Sequence, residues 1–257
     1  VQSSSATTVA VIGFVSAGLL TFSQSLGLVI GASLGTTSTG WIVSVLGLKV
    51  SVSLYALPII GVGVFLRLLA NSRWRSFGMA MAGFGLIFIG IDTLQSGMKG
   101  LSETFDFTQI PYQGIKGRIF TVLFGLLMTI IMQSSSAAIA TVLTALHTGS
   151  INFDQAALLT IGCAVGTTVT GALAAIGGSV SAKRTALAHV TFNLATGLIA
   201  ILILPFLLWF LDYLQHQFAL KPGAMSLAAF HTTFITVGVL IFYPFIGQLA
   251  LDRKSVV

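Results

Sequence analysis

Gln2-Ser3-Ser4-Ser5-Ala6 recurs unchanged as Gln133-Ser134-Ser135-Ser136-Ala137, 131 positions later, and the stretches that follow the two copies stay in register without a gap. Residues 2–47 and 133–178 share 18 identities in 46 positions, among them Gly18/Gly149, Phe22/Phe153, Gln24/Gln155 and Gly35-Thr36-Thr37/Gly166-Thr167-Thr168, followed by Thr39-Gly40/Thr170-Gly171. Chance would give about four in so apolar a composition. Ser, Thr and Gly are common in membrane helices simply because they let backbones approach, but packing does not require the same Gln-Ser-Ser-Ser twice. A polar, glycine-punctuated cassette repeated within apolar sequence is the mark of a transporter built from two structural repeats with its site between them.

The surrounding composition is that of a membrane protein: 55% hydrophobic, 7% charged, mean hydropathy +1.00, where a soluble domain carries about a quarter charged residues. The apolar runs 50–69, 77–94, 155–178, 185–211 and 225–251 reach or approach the roughly 20 residues that cross a hydrocarbon core as helix. They are continuous, not alternating, which excludes an outer-membrane barrel. The net charge of +6 comes from Lys and Arg scattered at the ends of apolar runs, so it marks topology and lipid headgroups and not a nucleic-acid surface. Cys163 is the sole cysteine, which excludes an intramolecular disulfide and a cysteine metal cluster. Short loops and the absence of any Asn-X-Ser/Thr acceptor favour a multi-pass protein of a bacterial inner (plasma) membrane.

Around copy two, polar punctuation cuts the chain into 118–132, 137–147 and 155–178, the last with a break at Gly166-Thr167-Thr168. The first two pieces are too short to cross alone, which predicts a re-entrant hairpin with Gln133 to Ser136 at its tip. With Arg73 and Arg75 cytoplasmic, counting crossings then places Lys183-Arg184 and Arg253-Lys254 inside and Lys49 outside, in the sense of the positive-inside rule. On that count the cassettes have opposite orientation. The fold expected is an all-α polytopic membrane protein of two inverted-topology repeats with re-entrant hairpins and discontinuous helices. Residues 1–98 form the first repeat, 99–118 an external connection, 119–251 the second repeat and 252–257 the start of a cytoplasmic tail. Copy one has no counterpart of the arm 118–132, so a matching arm is expected upstream of Val1.

A helix starting after the tip would be capped by Ser135 or Ser136, with free N–H groups from Ala137 onward aimed at an anion. The hydroxyls and carboxamides of Gln2, Ser3, Ser4, Ser5 and Gln133, Ser134, Ser135, Ser136 suit a tetrahedral oxyanion approached from both sides. No Lys or Arg lies within the cassettes, so the counter-charge must come from elsewhere. Sodium supplies it, held by hard oxygen ligands: Gln133, Ser134 and the threonines Thr36, Thr39, Thr167 and Thr170, paired on helix faces at i, i+3. Outside the cassettes, His189 and His231 are expected to be structural or interfacial residues near helix ends. Asn193 could pair with His189 four residues earlier, Asp92 is expected at the interface, and Pro58 and Pro205 are expected to kink their helices.

Duplicate Gln-Ser-Ser-Ser-Ala, each copy followed by Gly-Thr-Thr-X-Thr, resembles the type II sodium-dependent phosphate cotransporter family. Gly-Leu-Ile-Phe-Ile-Gly-Ile-Asp at 85–92 and Ala-His-Val-Thr-Phe-Asn at 188–193 are similar to further patterns of that family, so the resemblance covers nearly the whole chain. It implies a bacterial symporter, with phosphate at the paired tips, sodium near the Gly-Thr-Thr-X-Thr stretches, and no cofactor. One departure stands out: where the family often has Asn-Ile-Gly-Thr-Thr, this chain has Ser33-Leu34-Gly35 and Ala164-Val165-Gly166, losing an amide in both cassettes. The partners expected are inorganic phosphate, sodium and the bilayer, with a homodimer and a PhoU-like regulatory domain or partner left open, and no nucleic acid. The alternative is a transporter of the same fold that moves another oxyanion or exports phosphate with a PhoU-like domain. An intramembrane serine hydrolase using Ser135 and His189 is disfavoured, because Ser135 is not the centre of a Gly-X-Ser-X-Gly elbow and three adjacent serines, repeated, suit ligation better than one activated nucleophile.

Overall fold

The computed structural model describes residues 2–49, 52–104, 106–217 and 223–251, and all regular structure among them is helical. α1 (Ser4–Ser16), α2 (Phe22–Gly35) and α3 (Thr37–Ile42) make up the first cassette, and α3 runs on as a π-helical turn at Val43–Lys49. A short 3-10 turn at Val52–Tyr55 leads to α4 (Ala56–Leu69) and the long α5 (Ser72–Thr104). The second cassette comprises α6 (Gly114–Met132), α7 (Ser135–His147) and α8 (Phe153–Ala174), and α9 (Val180–Leu202), α10 (Leu204–Gln217) and α11 (Ala224–Leu251) follow. Among the described residues, six segments are long and apolar enough to cross a membrane: Phe22–Leu48, Ser72–Thr104, Gly114–Met132, Phe153–Ala174, Val180–Leu202 and Ala224–Ile246. The basic pair expected in the cytoplasmic tail, Arg253-Lys254, lies outside the described residues.

Local structure repeats as faithfully as sequence does. α1 and α7 are both 13 residues long and occupy matching positions, as do the starts of α2 and α8. Gly18 and Gly149 close α1 and α7 at φ +76° and +75°, a left-handed geometry that glycine adopts without strain. The repeated glutamines Gln24 and Gln155 each complete a capping box, with Thr21 and Asn152 as N-caps, satisfying two donors that a helix start would otherwise leave bare. Gln155 has a second duty: its Nε2 donates to the carbonyls of Phe107 and Ile110 at 3.0 and 2.9 Å, pinning the connection between α5 and α6 onto α8.

Several expected boundaries move, each for an identifiable reason. The arm preceding copy two is the 19-residue α6, starting at Gly114 and not at residue 118, so by length it can cross the bilayer, whereas α7 cannot. The run 185–211 is two helices: α9 ends at Leu202 and α10 begins at Leu204, because Pro205 lacks the N–H that a continuing helix would need and disfavours helical backbone before it. Pro58 falls in the first turn of α4, where that missing donor is harmless. Most importantly, α8 passes through Gly166-Thr167-Thr168 without a break. A Cβ at Gly166 would strike the Thr129 side chain and the Leu126 carbonyl of α6, so this glycine serves close helix packing and not unwinding. The first cassette differs at the matching place only by a boundary between α2, which ends at Gly35, and α3, which starts at Thr37, with Thr36 between them at φ −65° and ψ −22°.

α8 is the axis of the fold, with 78% of its membrane window buried against 22% for α5. α6 lies against it through a seam of small residues: a Cβ on Gly125 would overlap the Leu159 carbonyl, and one on Gly162 the Val122 carbonyl. Thr129 Oγ1 of α6 donates to the Cys163 carbonyl of α8 at 3.0 Å. Small residues and an interhelical hydroxyl bond hold helices together where no hydrophobic drive acts between them. The first cassette docks on the second half through α9 and α11, with Ser25 and Thr185 sharing a hydrogen bond at 2.7 Å and Trp41 Nε1 donating to Thr232 Oγ1 at 3.0 Å. Gly162→Ala is expected to destabilise the protein by about 1–3 kcal/mol through overpacking, seen as a lower thermal midpoint in detergent. Gly27→Ala, where nothing lies within 4 Å of the added carbon, should leave the midpoint unchanged or raise it.

Candidate functional site

The site begins with two strained glutamines. Gln2 and Gln133 have φ +60° and +53°, and no other described non-glycine residue has positive φ. Such backbone costs about 1–3 kcal/mol and glycine would adopt it freely, so a side chain kept at both positions points to a requirement for the amide. The next residue in each copy, Ser3 or Ser134, is extended and caps the following helix, its hydroxyl accepting from Ala6 N at 3.1 Å or Ala137 N at 3.2 Å. This corrects the expected cap at Ser135 or Ser136. Ser135 is already helical, so the N–H groups without a helical partner belong to Ser4 and Ser5 in α1 and to Ser135 and Ser136 in α7.

Each amide reaches across to the threonine-rich stretch of its own cassette. Gln2 Oε1 accepts from Thr39 Oγ1 at 2.8 Å and Ser38 Oγ at 3.2 Å, and Gln133 Oε1 accepts from Thr170 Oγ1 at 3.4 Å. Gln133 Nε2 also donates to the Ile130 carbonyl at 2.6 Å, tying the turn to the end of α6. The two tips touch, since Ser136 Oγ donates to the Gln2 carbonyl at 3.1 Å.

Between the tips lies a small cavity of about 10 Å³, room for no more than one water. Three pairs of repeat-related positions meet at its wall: Ser4 with Ser135, Ser33 with Ala164, and Thr36 with Thr167. Asn193 of α9 and His231 of α11 complete its polar lining, and Ile139 and Ile235 its apolar part. The hydroxyls divide by what they have left to offer. Thr36 Oγ1 donates to the Ala32 carbonyl at 2.8 Å and Thr167 Oγ1 to the Cys163 carbonyl at 3.4 Å, so their protons are engaged and their lone pairs remain, which suits a cation. Ser4 and Ser135 make no side-chain hydrogen bond to a described residue and keep a proton to donate, which suits an anion.

Of the residues singled out from sequence, Ser4, Ser135, Thr36 and Thr167 therefore share one cavity wall, and Gln2, Gln133, Thr39 and Thr170 form the clasps behind it. Ser3 and Ser134 are helix caps, Ser136 bridges the tips, and Ser5 is buried within α1. Sequence reasoning missed Ser33, Asn193 and His231 as wall residues. Ser33 was visible only as a departure from a family pattern, and the other two lie outside the repeat that drew attention. Of the structural or interfacial roles expected for the histidines, the interfacial one is overturned: His189 and His231 are 1% and 3% exposed, within α9 and α11. Neither ring nitrogen of His189 has a partner, so it does not hydrogen-bond Ser135 as a hydrolase base would. Asn193 Nδ2 donates to the His189 backbone carbonyl at 3.0 Å and not to its ring. The strained glutamines separate stability from function: Gln133→Gly should be as stable as the parent or more so, while its transport activity falls at least about tenfold. Unfolding and uptake measured on the same preparation test this.

The sequence model of the Na+/Pi-cotransporter family matches residues 1–96 and 98–246. The chain is 32% identical over 243 residues to the Bacillus subtilis protein named "Uncharacterized protein YqeW", covering 95% of this chain and 76% of that one. It is 30% identical over 264 residues to the Escherichia coli K12 protein named "Putative inorganic phosphate export protein YjbB", covering all of this chain and 46% of the relative. It is also 30% identical over 162 residues to mouse "Sodium-dependent phosphate transport protein 2B", across 61% of this chain and 21% of that protein. No solved structure matches significantly. With its six candidate crossings, this multi-pass inner-membrane protein of bacterial type belongs to the Na+/Pi-cotransporter family, a family of transporters.

Proposed function

We propose that the protein couples sodium to the movement of inorganic phosphate by alternating access, with the anion held between the tips of α1 and α7. The observation that carries this reading is the convergence of Ser4 and Ser135, one from each copy of the pentapeptide, on a single cavity. Each sits at the first position of a 13-residue helix, so hydroxyl donors and the positive ends of two helix dipoles meet from different directions. No Asp, Glu, Lys or Arg lines the cavity, and an anion in so apolar a setting needs a counter-charge. Thr36 and Thr167, with their lone pairs turned to the same space, are the ligands we assign to sodium, supported by the clasps Gln2–Thr39 and Gln133–Thr170. In this reading α1 and α7, too short to cross, are inner arms of re-entrant hairpins in two inverted repeats. Phosphate is larger than the cavity, so loading requires the tips to part and the Ser136–Gln2 bond to break.

A second reading keeps the site and reverses the direction. The printed name of the Escherichia coli relative concerns phosphate export, and a PhoU-like partner would fit such a role. Radiolabelled phosphate flux in proteoliposomes, under sodium gradients of either sign, decides between them: uptake driven by inward sodium supports symport, and flux indifferent to sodium rejects coupling.

Ser4→Ala and Ser135→Ala should each weaken phosphate affinity by about 1.5–3 kcal/mol, the value of a hydrogen bond to a charged group. Unchanged affinity in both would remove the tips from the site. Thr36→Val and Thr167→Val should raise the sodium concentration for half-maximal flux, with phosphate affinity at saturating sodium nearly preserved. Linkage requires that phosphate and sodium raise one another's affinity by the same factor.

A further inference from the structure

The cavity wall contains an acceptor as well as donors, and its orientation is fixed by chemistry. Asn193 is 4% exposed and lines the cavity. Its amide lies 3.0 Å from the backbone carbonyl of His189. A carbonyl oxygen can only accept, so the amide nitrogen must be the atom that faces it, and Oδ1 is turned the other way. No described residue donates to that oxygen. His231 lines the same cavity, but an imidazole can present either a donor or an acceptor, so it does not by itself discriminate. Asn193 Oδ1 can only accept, and an acceptor facing a bare oxyanion oxygen repels it.

We propose that Asn193 is a specificity-determining residue whose Oδ1 receives a hydrogen bond from a protonated oxygen of the bound anion. The site then selects tetrahedral oxyanions that retain a hydroxyl, phosphate and arsenate, over sulfate. This rests on the phosphate-site reading of the cavity. At neutral pH both common forms of phosphate carry at least one P–OH, whereas sulfate carries none, so Ser4 and Ser135 can serve either anion while Asn193 Oδ1 serves only the first. A buried acceptor left facing an oxygen that cannot donate is the kind of mismatch that separates analogues more sharply than pocket shape does. The acceptor belongs to α9. The hydroxyl-bearing oxygen of the anion thus points towards α9.

The test uses the full protein in proteoliposomes at saturating sodium, with radiolabelled phosphate displaced by unlabelled phosphate, arsenate or sulfate. Asn193→Leu, close in shape and without the acceptor, should weaken phosphate and arsenate about ten- to a hundredfold and leave weak sulfate competition unchanged or stronger. Asn193→Ser, whose hydroxyl can donate back to the His189 carbonyl and still offer a lone pair, should fall between the parent and Asn193→Leu, and it keeps the proposal testable if the leucine variant fails to fold. An equal loss for all three anions overturns the proposal, as does unchanged phosphate affinity. So does a phosphate defect that raised sodium abolishes, which would make Oδ1 a cation ligand. A parent protein that binds no phosphate at saturating sodium refutes the phosphate-site reading itself.

Discussion

Inside a bilayer no water is at hand for a bare peptide group, so a helix that ends there must have its first N–H groups satisfied by protein or by a ligand. α1 and α7 begin side by side, their tips joined by the Ser136–Gln2 bond, and the proposed reading places both starts within the membrane. Ser3 and Ser134 satisfy one donor of each helix, and the bulk of α8, α9 and α11 shields the region from lipid. In the proposed reading the donors left over become the anion's ligands. On that reading the local requirement of capping and the functional requirement of binding are met by adjacent residues of one short motif, repeated letter for letter in the two cassettes.

Much of this was legible in the sequence, because the features concerned are local. The repeat located α1, α7 and the starts of α2 and α8, and the polarity of Ser4, Ser135, Thr36 and Thr167 marked the wall that they share. The failures have a common physical origin: one residue type serves two purposes. Gly166 in a threonine-rich stretch is compatible with an unwound helix or with a backbone pressed against a neighbour, and only the position of Thr129 and Leu126 on α6 selects the second. Pro205 could bend a helix or end it. His189, Asn193 and His231 looked like isolated polar residues because the contact that gives Asn193 and His231 their meaning is made by helices distant in sequence.

The cassettes are alike in backbone and unlike in chemistry. Ser33 faces Ala164 across the repeat relation, and Gln2 holds two hydroxyl partners where Gln133 holds one, since Ser38 has Val169 as its counterpart. The first cassette is therefore the more oxygen-rich side, and it is also the one with a helix boundary at Thr36. A symmetric frame with an asymmetric lining gives a ligand one preferred orientation.

The glycine seam between α6 and α8 has a mechanical consequence. Two backbones in direct contact at Gly125 and Gly162, further joined by Thr129, have no side-chain layer between them to act as a lubricant. They cannot slide without steric collision, nor separate without opening a void in the core. α6 and α8 thus form one strut, and any rearrangement of the molecule has to take place around it, at contacts such as Ser25–Thr185, Trp41–Thr232 and Ser136–Gln2, where hydroxyl bonds can be exchanged one for another.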